Sequence, residues 1–227
     1  MRFGHVLAVA ERPPLRRRAD GFAGLVSIVV SQQLSVASAA AILGRLTAAI
    51  DPLEPAAVVR ARSDKLKRTG LSAPKIRTLK AIAKAVEAGD LDLGALGRLP
   101  ADDAHAKLTA VHGIGPWTAD IYLLACLGHA DAWPAGDLAL QEAARLLLEL
   151  ERRPTTKEMA ALGEGWRPWR AVAARLLWTY YRARKQRDGL LVAAARPPAT
   201  RPARSRAKAS GKPTAPATRK QNTKRRA

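Results

Sequence analysis

The sequence predicts an all-α fold, and three observations support that prediction. Apolar residues recur at three- and four-residue spacing along most of the chain, as they do on one face of a helix. Runs of alternating apolar and polar residues, which are typical of strands, are scarce. Residues that end or begin helices, such as Gly70, Gly89 and Pro116, separate the periodic segments. The 227 residues are enough for one or two domains.

The first long helical pattern begins at Gly21. Residues 1–20 contain two adjacent prolines and the run Arg16-Arg17-Arg18, which predict an N-terminal arm. The apolar run from Leu25 to Ile50 is interrupted by the polar Ser31-Gln32-Gln33-Leu34-Ser35, which we interpret as a junction between two helices. Polar groups in such a run are costly to bury without partners, so we expect this polar junction to face a ligand.

Shorter helical segments follow the polar junction. A turn at Asp51–Pro55 leads into a helix that ends near Arg62, and Ser72 is placed to cap the next helix, which Gly89 closes. Beyond the hairpin described next, the predicted helices are Leu138–Leu150, a short one from Pro154 to Gly163, and a long one within Trp166–Arg187 that turns Val172, Leu176 and Leu177 inward.

The segment Gly113-Ile114-Gly115-Pro116 is a tight turn between two apolar periodic segments, which predicts a helix-hairpin-helix. Its two glycines allow close approach of another molecule, and Pro116 suits the first turn of a helix. The first N–H groups of that second helix form an anion site, for which a phosphate is a natural occupant. An ordinary connection between two helices has the same features, so the turn alone leaves both interpretations open.

A second loop, Trp133-Pro134-Ala135-Gly136-Asp137, precedes the helix that starts at Leu138. Asp137 occupies the N-cap position of that helix, with Leu140 three residues further on. An N-cap role alone accounts for an aspartate at this position. It does not account for the spacing of 20 residues between Trp117 and Asp137.

The charge of the chain indicates a polyanionic partner. Lys and Arg number 39 against 19 Asp and Glu, for a net charge of +20 and a pI near 11.2, which is typical of nucleic-acid-binding proteins. Eleven of the basic residues lie in 196–227, so the rest of the chain still carries +9. We expect 191–227 to be a disordered basic tail, and we favour salt-sensitive attachment to DNA over a purely solubilising role.

The single cysteine, Cys126, lies in an apolar helical run and is expected to be buried. One cysteine excludes a disulfide framework or a cysteine metal cluster within the chain. No continuous apolar segment typical of signal peptides precedes the arginine run, and polar residues interrupt the most apolar stretch. We therefore predict a cytoplasmic, nucleoid-associated protein without a membrane segment.

The hairpin turn and Asp137 together resemble the helix-hairpin-helix DNA glycosylases, in which a Gly/Pro-rich loop and a catalytic aspartate follow the hairpin. Three further segments are similar to the DNA-3-methyladenine glycosylase II, or AlkA-like, branch. They are Ser31-Gln32-Gln33-Leu34-Ser35, Gly70-Leu71-Ser72-Ala73-Pro74-Lys75, and Trp166-Arg167-Pro168-Trp169-Arg170 with Trp178 beyond. The resemblance covers roughly Asp20 to Arg187. It implies a two-lobed helical bundle, with residues 21–190 as the glycosylase domain.

The resemblance implies an enzyme that flips an alkylated purine of the 3-methyladenine class out of DNA and hydrolyses its bond to the sugar. Asp137 would be the catalytic residue, which stabilises the positive charge that develops on the sugar. Trp117 and Trp178 would stack on the electron-poor base. Ile121 stands where the family has a pocket tyrosine, so we expect the neighbouring Tyr122 to line the base pocket.

The resemblance also implies residues that contact DNA. Gln33 and Leu34 match a loop that enters the duplex where the base was, with Leu34 as an apolar wedge. A leucine that packs between helices is the alternative. Family members that also cut the strand have a lysine in place of Trp117, so an enzyme without lyase activity is implied. The hairpin residues expected at the DNA are Gly113, Ile114, Gly115 and Thr118.

No cofactor and no metal site are implied. One cysteine cannot hold an iron–sulfur cluster, although a monovalent cation at the hairpin is conceivable. The implied partner is double-stranded DNA with damaged bases, bound by a monomer and without a membrane. Two alternatives remain open: a glycosylase for another base, such as hypoxanthine or uracil, and a non-catalytic DNA-binding module. In that module Asp137 would only cap its helix, and the spacing from Trp117 favours the enzyme.

Overall fold

The computed structural model describes residues 3–9, 12–15 and 17–195. Every regular element in those ranges is helical, which confirms the predicted all-α fold. The helices are α1 (Phe3–Val9), α2 (Gly21–Ser31), α3 (Val36–Ala49), α4 (Pro55–Arg60), α5 (Ser63–Arg68), α6 (Ala73–Glu87), α7 (Ala101–Thr109), α8 (Pro116–Ile121), α9 (Leu138–Leu148), α10 (Thr156–Glu164) and α11 (Arg170–Ala195). A 3₁₀ turn, Leu96–Arg98, precedes α7, and a π-helical segment, Tyr122–Leu127, continues α8.

The helices pack as two groups that share one core. In the first group α4 packs on α6, and α2 packs on α3, α6 and the π-helical segment. In the second group α9 and α1 both pack on α11. Buried apolar side chains from both groups form one continuous cluster, to which Leu25, Leu79, Leu123 and Leu140 belong. Full burial of each such leucine contributes roughly 1.5–3 kcal/mol, so the core also holds the two groups together.

Capping side chains begin two of the helices, although neither cap was predicted from the sequence. Ser35 caps α3, because its Oγ accepts a hydrogen bond from the backbone N–H of Ser38 at 3.2 Å. Thr155 and Glu158 form a reciprocal capping box at the start of α10. Ser72 occupies the N-cap position of α6, but its side chain makes no capping hydrogen bond. The break between α2 and α3 falls in the polar junction, as predicted.

The N-terminal region differs from the predicted arm. Within residues 1–20 the chain forms α1, which buries Val6 at 1% exposure. Phe3 lies edge-on to Trp166, with 5.4 Å between the ring centroids. The apolar side chains of Phe3 and Val6 lie one helical turn apart. This pattern is short, and the prolines and arginines that follow it favoured the prediction of an arm over a helix.

The last helix differs from prediction at two points. Val172 is 47% exposed rather than inward, because the five residues that separate it from buried Leu177 rotate it by about 140° around the helix. The backbone of α11 extends to Ala195, so the first residues of the predicted tail are helical. The rest of that tail, 196–227, lies outside the described residues.

Candidate active site

Asp137 accepts three hydrogen bonds at the start of α9. Its Oδ1 accepts one from the backbone N–H of Leu140 at 2.9 Å, which confirms the predicted N-cap. The same oxygen accepts a second from Trp178 Nε1 at 3.0 Å, and Oδ2 accepts the third from Trp117 Nε1 at 2.9 Å. The structure thus brings together the aspartate and both tryptophans of the predicted site. A helix cap needs only the first of these three bonds.

The three side chains come from three different elements. Trp117 is the second residue of α8, directly after the hairpin, whereas Asp137 precedes α9 and Trp178 lies within α11. The two indole bonds join residues 20 and 41 positions apart. The site therefore forms only when the hairpin and the last helix are packed in their final positions.

The surroundings of Asp137 suit a carboxylate that must face a positive charge. Asp137 is half-buried, and among the described residues no Lys, Arg or His pairs with it. Its partners are uncharged N–H donors, which orient the carboxylate without cancelling its charge. A preorganised charge of this kind can stabilise a cation that develops within its reach.

The loop that leads to Asp137 is held by contacts on both sides. Trp133 is buried, donates from Nε1 to a backbone carbonyl of α10 at 2.8 Å, and lies edge-on to Trp166 at 5.2 Å. Gln141, on the first turn of α9, donates to Ala135 O at 2.9 Å. These contacts fix the backbone immediately before Asp137, so the carboxylate is presented by a rigid loop.

Ion pairs that the sequence reasoning missed join this loop to the start of α11. Asp131 accepts hydrogen bonds from Arg170 Nε and Nη2, both at 2.8 Å, and from Arg167 Nη1 at 2.7 Å. Arg170 is only 6% exposed, and it also pairs with Asp102 at 3.2 Å and Glu164 at 3.5 Å, so its buried charge is balanced by a network of carboxylates. Because α11 carries Trp178, these pairs set its position relative to Asp137. The partners are 36 and 39 residues apart, and no local pattern in the sequence signals them.

Tyr122 does not line the site, contrary to the prediction. It is fully buried, its hydroxyl donates to Gly21 O at 3.4 Å, and burial raises the pKa of that hydroxyl. Trp117 and Ile121 are four residues apart and share a face of α8, whereas the next residue is rotated by about 100° toward the core. Ile121 instead lines a cavity beside Trp178.

The predicted DNA-contacting residues of the hairpin divide into two pairs. Gly113 and Gly115 are exposed, and Gly113 has a φ of +87°, in the left-handed region that glycine tolerates. Ile114 and Thr118 are 4% and 3% exposed. Thr118 Oγ1 accepts a hydrogen bond from Gln32 Nε2 at 2.7 Å. The glycines therefore face the surface, and Ile114 and Thr118 support the turn from beneath.

The polar junction presents Gln33 and Leu34 to solvent. Leu34 is 39% exposed, and Gln33 has a φ of +56°, which is uncommon for a residue with a side chain. Lys75 anchors the loop, because its Nζ donates to the carbonyl oxygens of Val30 and Gln32, both at 2.8 Å. Burial lowers the pKa of this lysine. The conformation that exposes Leu34 is thus held by a charged donor beneath it.

The described residues offer neither a metal site nor a membrane span. In that part of the chain no group of three or more His, Cys, Asp or Glu side chains is arranged to hold a metal ion. None of its helices has the length and apolar character to cross a membrane. Cys126 is buried as predicted, and burial raises the pKa of its thiol to about 11.

A helical fold with a hairpin turn, an exposed polar junction and an indole-bound aspartate is typical of a helix-hairpin-helix protein of the DNA-repair class. The chain belongs to the HhH-GPD superfamily of base excision DNA repair proteins, whose sequence pattern matches residues 26–168. The matched region includes the polar junction, the hairpin and Asp137.

Known relatives confirm the AlkA-like branch. A solved DNA-3-methyladenine glycosidase of Bacillus halodurans is 30% identical, with a TM-score of 0.74 over 84% of this chain and 91% of that chain. A 3-methyladenine DNA glycosylase of Schizosaccharomyces pombe, solved with abasic DNA, is 28% identical, with a TM-score of 0.67 over 78% and 90%. The probable bifunctional transcriptional activator/DNA repair enzyme AlkA of Mycobacterium tuberculosis is 33% identical over 77% of this chain, which spans 36% of that protein. The chain likewise spans 32% of the DNA-3-methyladenine glycosylase of Bacillus subtilis.

Proposed function

We propose that the protein is a monofunctional DNA glycosylase that hydrolyses the bond between an alkylated purine and deoxyribose in double-stranded DNA. The observation that carries this proposal is the Asp137 carboxylate, held by the indole N–H groups of Trp117 and Trp178. A non-catalytic DNA-binding module needs no such bonds, because the backbone N–H of Leu140 already satisfies the cap. The names of the Bacillus halodurans and Schizosaccharomyces pombe relatives support the 3-methyladenine class of substrate.

In this proposal the hairpin holds the DNA, and the polar junction Ser31–Ser35 acts as a wedge loop that opens it. Backbone N–H groups beside Gly113 and Gly115, at the start of α8, face a phosphate of the DNA backbone. Leu34 fills the gap in the base stack, as apolar wedges do in other minor-groove proteins. The extruded nucleotide then reaches Asp137 with its sugar toward the carboxylate.

Hydrolysis of an alkylated base needs little acid catalysis. A purine methylated at a ring nitrogen is positively charged, so it leaves as a neutral base when the electron pair of the glycosidic bond moves onto its ring. The positive charge passes to the C1′–O4′ unit of the sugar, where the Asp137 carboxylate stabilises it. Water adds to C1′ and loses a proton, which leaves an abasic site. The indoles of Trp117 and Trp178 offer electron-rich partners for the cationic base.

The proposed site is complete in one chain, since Asp137 and both tryptophans belong to it. The proposed functional unit is therefore a monomer that acts on damaged double-stranded DNA. With DNA as its partner, its proposed location is the nucleoid in the cytoplasm. The reaction needs no metal, iron–sulfur cluster or other cofactor. A monovalent cation at the hairpin remains an expectation of the sequence.

The experiment that tests the proposal is an assay of base release from duplexes that carry 3-methyladenine, 7-methylguanine, hypoxanthine or uracil. We expect the protein to release 3-methyladenine and leave one abasic site for each base released. Chromatography of the free bases measures the reaction, and heat-alkaline cleavage counts the abasic sites. Absence of release from every alkylated duplex, in protein that still binds DNA, would favour the non-catalytic module.

The wild-type protein is expected to leave the DNA strand intact. A lysine at the position of Trp117 would form a Schiff base with the sugar, and an indole cannot. Borohydride should therefore trap no covalent adduct, whereas Trp117→Lys should release less alkylated base and introduce weak trapping. Denaturing gels measure both the adduct and strand cleavage. Trapping by the unaltered protein would show that another lysine reaches C1′, and the monofunctional assignment would be wrong.

Lys75→Met is expected to disorder the wedge loop, because two carbonyl groups at the end of α2 lose their charged donor. The free energy of unfolding should fall by about 1–3 kcal/mol. Affinity for DNA with an abasic site should fall more than affinity for undamaged DNA, since only the former accommodates the wedge. Thermal melting and DNA titration measure these effects. Lys65→Met, on exposed α5, is the matched charge control, and equal losses in both variants would contradict an anchoring role for Lys75.

A further inference from the structure

A small cavity of about 210 Å³ lies between the hairpin helices and the loop that leads to Asp137. Residues of α7, α8, α10, α11 and this loop form its walls. Asp137, Trp117 and Trp178 do not line it, so the cavity is separate from the candidate active site. Its ionisable side chains are Asp102, His105, Asp120, Asp131, Glu164 and Arg170.

Asp120 differs from the other carboxylates of this cavity, because it has no arginine partner in the part of the chain that the structure describes. The other three all pair with Arg170. The basic side chain that Asp120 faces is His105, whose Nε2 lies 3.9 Å from Oδ1, beyond the reach of a hydrogen bond. The Asp120 carboxyl group accepts a hydrogen bond from the backbone N–H of Trp133. Its side chain is only 13% exposed, and a hydrogen bond in such surroundings is stronger than one in water.

The bond to Trp133 joins the hairpin helix α8 to the first residue of the loop that carries Asp137. Trp117, one turn before Asp120 on α8, donates to Asp137 Oδ2 at 2.9 Å and so joins the same helix to the last residue of that loop. Two bonds from one helix therefore hold the loop at both ends. The indole of Trp133 binds α10 instead, so the Asp120 bond ties the start of the loop to the hairpin.

We propose that Asp120 is a positioning residue for base excision, because its carboxyl group ties the start of this loop to α8 and so sets the position of Asp137 relative to the hairpin. The inference rests on the proposed glycosylase function, in which the hairpin holds the DNA and Asp137 must reach the sugar. Asp120 itself lies outside the candidate active site and acts through the loop. A displacement of about 1 Å at a reacting group can cost about a hundredfold in rate.

The charges around the cavity favour the neutral form of Asp120. Burial raises the pKa of its carboxyl group to about 8; Asp102 adds to the rise, whereas Arg170 and the Trp133 N–H oppose it. Two arginines pair with the three neighbouring carboxylates and leave one negative charge unbalanced. The charged and titratable groups that face Asp120 are Asp102 and His105 of α7, Asp131 of the loop, Glu164 of α10, Arg170 of α11 and Arg167 just before it.

The raised pKa gives the bond a pH dependence whose sign follows from proton binding. Folded protein keeps the proton of Asp120 up to pH about 8, whereas the unfolded chain loses it near the ordinary value of 3.8. Between these values the unfolded chain binds fewer protons, so the stability that neutral Asp120 contributes falls as pH rises and is lost at about 8. Opening of the loop also hydrates the carboxyl group, so high pH favours the open loop.

Support of Arg170 is the alternative role for Asp120. Arg170 does not require it, because Nε lies 2.8 Å from Asp131, Nη2 lies 3.2 Å from Asp102 and Nη1 lies 3.5 Å from Glu164. The two roles also differ in what they demand of residue 120. Support of Arg170 needs a negative charge, whereas the bond from Trp133 needs only an acceptor oxygen.

Asp120→Asn and Asp120→Leu separate these roles, since asparagine keeps an acceptor oxygen and leucine does not. Asp103→Leu, at an exposed position of α7, is the matched control. Single-turnover release of 3-methyladenine and affinity for abasic DNA are measured for each protein. We expect Asp120→Leu to release the base roughly tenfold to a hundredfold more slowly. It should bind abasic DNA as the wild type does, because the hairpin turn and the polar junction are intact. Asp120→Asn should keep the wild-type rate at neutral pH.

Chemical denaturation at pH values below and above 8 provides the second readout. Asp120→Asn has no titrating group at this position, so its free energy of unfolding should exceed that of the wild type by a margin that grows up to pH about 8. Above that pH the wild-type rate should fall relative to the rate of Asp120→Asn, since the ionised carboxylate favours the open loop. Asp103→Leu should follow the wild type at every pH.

Several outcomes would overturn the inference. Folded Asp120→Leu that releases base at the wild-type rate would remove Asp120 from positioning, and equal losses of rate and abasic-DNA affinity would make its role a general structural one. If Asp120→Leu does not fold, Asp120→Asn decides alone. A slower rate or a lower stability of Asp120→Asn at neutral pH would assign Asp120 to Arg170, and a stability margin that does not change with pH would contradict the protonated carboxyl group. Wild-type protein that releases no alkylated base would instead contradict the proposed function on which the inference rests.

Discussion

Asp137→Asn is expected to lower the rate of 3-methyladenine release by roughly a thousandfold, the upper end of the loss when one electrostatic contact to a transition state is removed. The carboxylate charge is what stabilises the sugar cation, and an amide has none. Asparagine caps helices as well as aspartate does. The bond from Leu140 N can therefore persist, and the fold and DNA affinity should be retained.

Single-turnover base release measures the rate, and thermal melting and abasic-DNA binding test the retained properties. Asp103→Asn removes the same charge from an exposed position of α7 and should leave the rate unchanged. In Asp137→Asn the new amide NH₂ would face the N–H of Trp117 if the amide oxygen keeps the cap, so a small loss of stability is expected. If stably folded Asp137→Asn released base at the wild-type rate, Asp137 would act only as a helix cap.

Local signals in the sequence were sufficient for most helix boundaries. Glycines, prolines and capping residues act on their immediate neighbours, so the hairpin turn, the polar junction and the cap at Asp137 were all predictable. The same physics explains the error at Tyr122. The assignment followed adjacency in sequence, whereas the face of a helix is shared by residues four apart, such as Trp117 and Ile121.

Contacts between distant segments could not be predicted in this way. Lys75 binds backbone carbonyl groups 43 and 45 residues away, and a carbonyl group is present at every residue, so the sequence carries no mark of the pairing. Asp131 and Arg170 are 39 residues apart and meet only because the loop before α9 packs against the start of α11. The bonds from both indoles to Asp137 are equally non-local. Only the resemblance to a family, and no pattern in composition, placed those tryptophans at the site.

Gly113→Ala is expected to destabilise the protein and to weaken its binding to DNA, because two costs coincide at this position. The φ of +87° is strained for any residue with a Cβ. A Cβ there would also collide with the side chain of Thr78. Strain and overpacking each cost about 1–3 kcal/mol. The free energy of unfolding should therefore fall by about 2–6 kcal/mol.

Gly115→Ala is the matched control within the same turn. Gly115 has a φ of −84°, and a Cβ at this position meets no other atom within 4 Å, so its stability should change little. Its new methyl group would nevertheless stand at the exposed start of α8, where a phosphate is expected. The two variants thus separate folding from binding. Gly113→Ala should lose both stability and DNA affinity, whereas Gly115→Ala should lose DNA affinity alone.

Chemical denaturation and titration with abasic DNA measure the two quantities, and a double variant identifies the cause. Thr78→Ala in the Gly113→Ala background removes Oγ1 and the methyl group that the new Cβ meets, and keeps the backbone strain. Partial recovery of stability is therefore expected. If Gly113→Ala were as stable as the wild type, the left-handed turn would not be required. If Gly115→Ala bound DNA with unchanged affinity, the hairpin would not approach a phosphate as closely as we propose.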